Sequence, residues 1–298
     1  MPTICVVGDV MLDIDHWCVE RDNYEGAALC LKTTDPPSYY PGGAANVAAL
    51  LASWGCEVDL FGAVGPDLYG VKLHELLQYL GVSCYFKPEL PRTIVKQRFH
   101  CGEQTWRADD EETQLSPIAT RKALALVAIN HFDAIVFSDY DKGVFSATVE
   151  GTVSTLLKLG MPTIVDPAGD FHSQIWRGGL IATPNVRELH ALRWLATPPT
   201  YFTAATCGAA PVDVYEGAKL IGNLEPPRQV PVAQVVGAGD AFTAGLALAI
   251  AEAEPRSPGE WEHSQADLLA AITQAIGRAT EYVARPRGCI YQARPSAS

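Results

Sequence analysis

A chain of 298 residues with 48% apolar side chains is long enough for one large α/β domain or two smaller ones, and in either case for a substantial core. Its 22 basic and 34 acidic residues give a formal charge of −12 with no dense Lys/Arg run, which argues against nucleic acid or an acidic membrane surface as a partner. No apolar run reaches the ~20 residues of a membrane span, no basic leader precedes the first strand, and eight scattered cysteines without a CxxC pair read as reduced core residues, so a soluble cytoplasmic protein is expected.

Thr3 to Val7 predicts a buried strand that ends in a Gly8-Asp9 turn. Asp13, just beyond it, is either a solvated turn residue or a ligand contact at the carboxyl edge of a parallel strand. Residues 14–40 alternate polar and apolar and include Asn23, Gly26, Pro36 and Pro37, which predicts a small excursion of antiparallel strands outside the main sheet. Gly42 and Gly43 then open an alanine-rich helix with Asn46 in its first turn. Close helix packing accounts for the alanines but not for a polar Asn46 beside two glycines at a helix mouth.

A strand over Glu57–Val64 and a helix over Tyr69–Leu80 follow, punctuated by Gly65-Pro66-Asp67. Thr93 to Gln104 reads as another strand, with Lys96 and Arg98 two apart and so on one face, followed by Arg107. Those cations form either a solvated strand face or the grip on an anionic substrate. From Pro117 onward helices and strands alternate regularly: a helix to Asn130, a strand Ala134–Phe137 ending in Asp139, Tyr140 and Lys142, a helix Thr148–Leu159 and a strand Thr163–Val165. Repeated strands that end in polar residues and lead into helices call for a parallel sheet covered on both faces.

The strand Leu180–Ala182 leads to Asn185 and Glu188, three apart on one helix face, where they either cap the helix or hold the water shell of a magnesium ion. Thr206 and Gly208 begin a further turn, and Val212–Tyr215 predicts a strand. Between Glu188 and Thr206 there is little room for a helix and strand pair, so the sheet is expected to be one element short there. The helix Ala266–Val283 has one apolar face and should cover the sheet.

The most informative stretch is Val235 to Ala251, VVGAGDAFTAGLALAIA, which predicts a strand, a tight turn and the start of a closely packed helix. A helix start presents backbone N–H groups without partners and partial positive charge, a seat for an anion, and glycines let the backbone approach it. Asp240 would repel a phosphate held there. It either caps the helix or takes a proton from a hydroxyl that attacks phosphorus. The seven histidines form no HExxH spacing and GxSxG is absent, so metalloprotease and serine hydrolase chemistry have no support.

Together GDVMLD (8–13), PGGAANVA (41–48), SDYDKG (138–143), TPNVRE (183–188) and VGAGDAF (236–242) resemble the ribokinase-like (PfkB-type) carbohydrate kinases over nearly the whole chain. GDVMLD, Glu25, the Lys96/Arg98 pair and RADDE (107–111) are most similar to the branch that phosphorylates the anomeric hydroxyl of a heptose 7-phosphate. The resemblance implies an α/β fold of three layers, α/β/α, with a mainly parallel central sheet, as one domain over 1–298 carrying a β lid from about 14–40 and 91–112. It implies ATP as phosphate donor, Mg2+, a sugar or sugar phosphate acceptor and a homodimer joined through the lid.

By the same resemblance Asp240 is the general base, with the N–H groups of Gly237, Ala238 and Gly239 around the transferred phosphoryl group. Asp13, Gly42, Gly43, Asn46 and Asp139 fall in the acceptor site, and Lys96, Arg98, Arg107 and Lys142 are the cations for an acceptor phosphate. Asn185 and Glu188 belong to the magnesium-water site, Thr206 and Gly208 to the nucleotide loop. A kinase-fold binding protein without turnover, and a kinase for an unphosphorylated sugar or nucleoside, are the alternative readings.

Overall fold

Alternate residues of the first strand, β1 (Thr3–Gly8), face two different cores: Ile4 and Val6 join one apolar cluster, Cys5 and Val7 the other. A strand apolar on both faces is stable only between two layers of helices, and that is its position in the computed structural model. The structure describes residues 1–22, 29–88, 90–111, 127, 131–145, 150–168, 173–191, 198–253, 260 and 264–291. Glu25, most of the predicted helix Pro117–Asn130 and the predicted helix start at Thr148 lie outside them.

The main sheet has nine strands in the order β14-β13-β12-β11-β10-β9-β1-β5-β6. From β6 to β12 neighbours run parallel: β5 (Glu57–Val64), β6 (Val82–Pro88), β9 (Ala134–Ser138), β10 (Thr163–Asp166), β11 (Gly179–Ala182) and β12 (Thr200–Ala205). The antiparallel pair β13 (Val212–Glu216) and β14 (Lys219–Leu224) finishes one edge. From β1 the chain first builds outward through β5 and β6, then returns to the other side with β9. The reversal makes the gap between the carboxyl ends of β1 and β9 the switch point where such sheets bind ligands.

Three helices cover one face: α1 (Ala44–Ser53), α5 (Ala238–Glu252) and α6 (Gln265–Val283). Every residue of α5 from Asp240 to Ile250 is buried. A helix closed in on all sides must be made of small and apolar residues, which is what AFTAGLALAI supplies. The described parts on the opposite face include α3 (Glu150–Leu157) and the 3₁₀ turn Ser173–Trp176, whose Trp176 packs between Phe137 and Phe145. The remaining helices are α2 (Leu68–Tyr79) and the short α4 (Val186–Ala191).

A second sheet forms the lid. Its long strand β2 (Val10–Glu20) pairs antiparallel with β3 (Leu31–Thr33) and β4 (Ser38–Gly43) and parallel with β7 (Val95–Cys101), and β8 (Gln104–Asp110) closes the outer edge. No helix of the described residues is long and apolar enough to cross a membrane.

Three expectations need correction. The sheet is not one element short after Glu188: β12 occupies residues 200–205, because Pro198 and Pro199 stop before it and TYFTAA suits a buried strand. No strand precedes the Gly-Ala-Gly turn. Pro231 interrupts that segment, and the N–H groups of Ala233 and Gln234 donate to the carbonyl of Val283 at the end of α6 instead of to a sheet. All eight cysteines are free, but Cys207 and Cys289 are exposed, not core residues.

Candidate active site

Asp9 sits at the carboxyl end of β1, almost fully buried, and accepts the backbone N–H groups of Tyr140 (2.9 Å), Lys142 (3.1 Å) and Val144 (3.2 Å). One carboxylate thereby shapes the loop 139–145 that leaves β9. Burial pushes the Asp9 carboxyl above its ordinary pKa while those three donors pull it back. The loop carries Tyr140, whose hydroxyl donates to Oδ1 of Asp240 in the first turn of α5.

The other oxygen of Asp240, Oδ2, accepts Nδ2 of Asn46 at 2.5 Å. Asp240 is 5% exposed, and burial holds its pKa above the usual carboxylate value against the two hydrogen bonds that lower it. Asn46 is itself fixed: its Oδ1 accepts the hydroxyl of Tyr291 at 2.5 Å. The helix mouth needs its glycine. Gly237 is the left-handed N-cap at φ 81°, and a Cβ there would lie 2.4 Å from Asn46 Nδ2 and 2.5 Å from the Tyr282 hydroxyl. Tyr282 donates to the Val236 carbonyl at 2.7 Å and the Ala238 N–H turns back on Val235 O at 3.2 Å, so the turn itself uses one of the three N–H groups expected to face an anion.

Ala238 and Gly239 also line a cavity of about 390 Å³ together with Thr206, Gly208, Val230, Val232, Phe242 and Val283. Its walls are largely apolar and it opens beside the residue next to Asp240. Thr206 is held by Pro184 O and in turn accepts Val186 N–H, both at 3.0 Å, which joins the cavity wall to the start of α4.

There Asn185 and Glu188 form a reciprocal cap: Asn185 Oδ1 accepts the N–H groups of Arg187 (2.9 Å) and Glu188 (3.1 Å), and Glu188 Oε2 accepts that of Asn185 (2.8 Å). Three carboxylates gather near this point. Asp166 is held well above the ordinary carboxylate range by burial and then by Asp240 and Glu188, and Asp139 is pushed up to about 8 by burial and by Asp9, Asp141 and Glu188. Asp139 thus shares its electrostatic surroundings with Asp9, Asp141 and Glu188 at the end of β9. Its own hydrogen bond is from the Asp141 N–H at 2.9 Å, and crowded hard oxygen donors of one sign are suited to a divalent cation. Among the described residues, no set of three or more such side chains is close enough to hold a metal directly.

At the root of the lid Asp13 stands opposite Lys96 in the β2–β7 register. Its Oδ2 receives Nη2 of Arg287 and lies 3.3 Å from Nη1 of Arg98. Gly42 gives it room, since a Cβ at that position would lie 2.9 Å from Asp13 Oδ1, and Gly43, at φ 58°, would bring one to 2.5 Å from Asp9 O. The expected phosphate cations are not equivalent. Arg107 is engaged by Asp109 (2.7 Å from Nε) and Lys142 by Glu111 (2.7 Å), whereas Lys96 lies over the ring of Tyr140 at 5.1 Å, and burial lowers its pKa. Sequence reasoning missed Tyr140, Tyr282, Arg287 and Tyr291 as site residues. The only signal for the last two was a Pro-Arg-Gly turn straight after a long helix.

A doubly covered parallel sheet with a buried carboxylate at a helix mouth and an apolar cleft beside it is the architecture of a phosphotransferase. The chain belongs to the pfkB family carbohydrate kinases, whose profile matches residues 1–279. It is 32% identical over 273 residues to the bifunctional protein HldE of Campylobacter jejuni, covering 84% of this chain and 57% of that relative. The chain thus spans about half the length of the curated relatives it matches. Among solved structures, ribokinase from Thermotoga maritima superposes with a TM-score of 0.71 at 19% identity, covering 99% of this chain and 97% of that one. Arabidopsis thaliana ribokinase complexed with ribose and ATP gives 0.63 at 21% identity, covering 92% and 91%.

Proposed function

We propose that the protein transfers the γ-phosphoryl group of ATP to a hydroxyl of a heptose 7-phosphate or a related sugar phosphate. The observation that carries this reading is the continuity of the nucleotide-sized cavity with the carboxylate: Ala238 and Gly239 line the first and Asp240 follows them. The acceptor hydroxyl donates to Asp240 in the place where the Tyr140 hydroxyl donates in this structure, gives up its proton to the carboxylate, and its oxygen bonds to phosphorus as the bond to the ADP oxygen breaks. The N–H groups at the helix mouth, chiefly those of Gly237 and Gly239, meet the charge that builds on the phosphoryl oxygens.

Asn185 and Glu188 would hold Mg2+ through its water shell beside Asp166, and the ion would neutralise phosphate charge there. Asn185 and Glu188 cap the start of α4, which backbone bonds tie to Thr206. Lys96, which lies over the Tyr140 ring opposite Asp13, is the cation we assign to the acceptor's phosphate. The motif likeness to the heptose branch supports that acceptor class and a homodimer through the lid, where Trp17 and Val19 of β2 are about half exposed.

The test is ADP release across a panel of sugars and sugar phosphates with ATP, with and without Mg2+. Turnover that needs both a sugar phosphate and the metal is the expected result. Binding of a sugar by calorimetry with no ADP formed from any member would overturn the catalytic reading, and a preference for unphosphorylated sugars would overturn the acceptor class.

A further inference from the structure

Arg287 lies in the 3₁₀ turn Arg287–Cys289 that follows α6, far from the family motifs in sequence, yet its guanidinium is buried beside Asp13 and Asp15. Only 9% of its side chain is exposed. Nη2 donates to Asp13, Nη1 stands 3.5 Å from Asp15 Oδ2, and the plane of the group lies 4.5 Å from the centre of the Tyr40 ring. Four residues later the same segment supplies Tyr291, which holds Asn46 and through it Asp240. A single short stretch therefore touches both the residue expected to bind the acceptor and the residue that fixes the base.

Buried polar atoms in folded proteins nearly always have partners, so a cluster that lacks them is informative. Here Asp13 Oδ1, Asp15 Oδ1, Arg98 Nη1, His100 Nε2 and both Nε and Nη1 of Arg287 are buried without a hydrogen-bond partner, although Arg98 Nη1, His100 Nε2 and Arg287 Nη1 lie within 3.5 Å of an aspartate oxygen. The two arginines and two aspartates balance in charge among themselves, and Lys96, opposite Asp13, is the further cation left for an anionic end. What remains is an alternation of donors and acceptors whose hydrogen-bonding capacity the ion pairs do not fill. Adjacent hydroxyl groups suit that pattern, because each can donate one hydrogen bond and accept another.

We propose that Arg287 is an acceptor-binding residue that sets specificity. Its Nε and Nη1, with Arg98 Nη1, donate to vicinal hydroxyls of the acceptor, which in turn donate to Asp13 Oδ1. Arg287 thus selects a polyol of defined stereochemistry, while Lys96 serves the anionic end. This rests on the sugar kinase reading above.

The test uses the whole chain, ATP with Mg2+, and the acceptor that gives the highest turnover in a panel of aldohexoses, aldoheptoses and their phosphates, together with its mono-deoxy analogues. Arg287→Lys keeps a cation beside Asp13 and Asp15 but loses the Nε donor and the planar fork. It should raise the acceptor KM about tenfold or more, the scale of one lost hydrogen bond to a charged group, with the ATP KM within about twofold of wild type. At least one deoxy analogue that wild type discriminates against should be discriminated less by the variant, which a purely structural role would not produce. Arg287→Met should show a larger loss if it folds; the lysine variant decides if it does not. An acceptor KM within twofold of wild type, or an unchanged deoxy penalty at every position, would overturn the proposal. If wild type binds a panel member but releases no ADP, the kinase reading fails, and the calorimetric Kd of wild type against Arg287→Lys decides the role of Arg287 by the same tenfold criterion. A wild type that neither binds nor turns over any member overturns both.

Discussion

Asp240 opens α5, and its partners are what would suit it to the proposed role of base. Both of its oxygens are engaged, by Asn46 and by Tyr140, and burial raises its pKa, so it is held in one orientation with its proton affinity increased. Asp240→Asn should lower kcat at least about 10²-fold, the ordinary contribution of general base catalysis, with acceptor KM little changed. Steady-state kinetics with the best panel acceptor checks this; a kcat within threefold of wild type would remove Asp240 from the chemistry. Lys96→Ala should instead act on acceptor KM, by about tenfold or more for a phosphorylated sugar and by little for its unphosphorylated form.

Asp139 provides a pH signature. Its folded pKa, about 8, stands above the ordinary carboxyl value, so between those two limits the native state keeps a proton that the unfolded chain has released. Stability is therefore greatest at low pH within that window and falls as pH rises through about 8, by up to about 1.4 kcal/mol per pH unit for this one group. Urea unfolding at pH 5, 6, 7 and 8 without metal should show the decline, and Asp139→Asn should show a shallower one. Equal slopes for the two proteins would place the proton elsewhere.

At the scale of elements, helix mouths and strand ends were legible because their residue types have few alternative uses. A buried carboxylate after a Gly-Ala-Gly turn, or an asparagine at the start of an alanine helix, has little to do for packing, and both meet at Asp240. The strand expected before that turn was not legible correctly. Two adjacent valines look like a strand, but Val235 is 69% exposed and the segment hangs on the carbonyl of Val283, a contact between residues 50 apart that no local pattern announces. Strand β12 escaped notice for the opposite reason, since the allowance of about 30 residues for a full βαβ unit hid a strand of six.

The loop 139–145 has one anchor, and that makes it testable as a unit. Asp9→Asn removes one of the two acceptor oxygens that hold three N–H groups, so the loop should loosen and Tyr140 should lose its fixed place against Asp240. The expected result is a loss of about 1–3 kcal/mol in urea unfolding together with a fall in kcat. Unchanged stability would show that other contacts determine the loop.

The whole molecule is organised so that lid, sheet and the residues after α6 meet at one place. Charge does not drive the assembly, since the chain carries −12 while its site draws on cations from β7, β8, the 139–145 loop and the last turn. The lid's exposed Trp17 and Val19 predict a two-chain mass by sedimentation, and Val19→Glu should yield single chains; a wild type that sediments as one chain at micromolar concentration would end the dimer proposal.

Tyr291 and Arg287 also complete one wall of the pocket from the far end of the chain. The cleft beside the helix mouth is complete once α6 has formed, but the opposite wall waits for eight more residues that must travel back to the lid's root. A protein cut after Ala284 should therefore still take up nucleotide while having lost its grip on the polyol, which makes recognition of the two substrates separable by length alone.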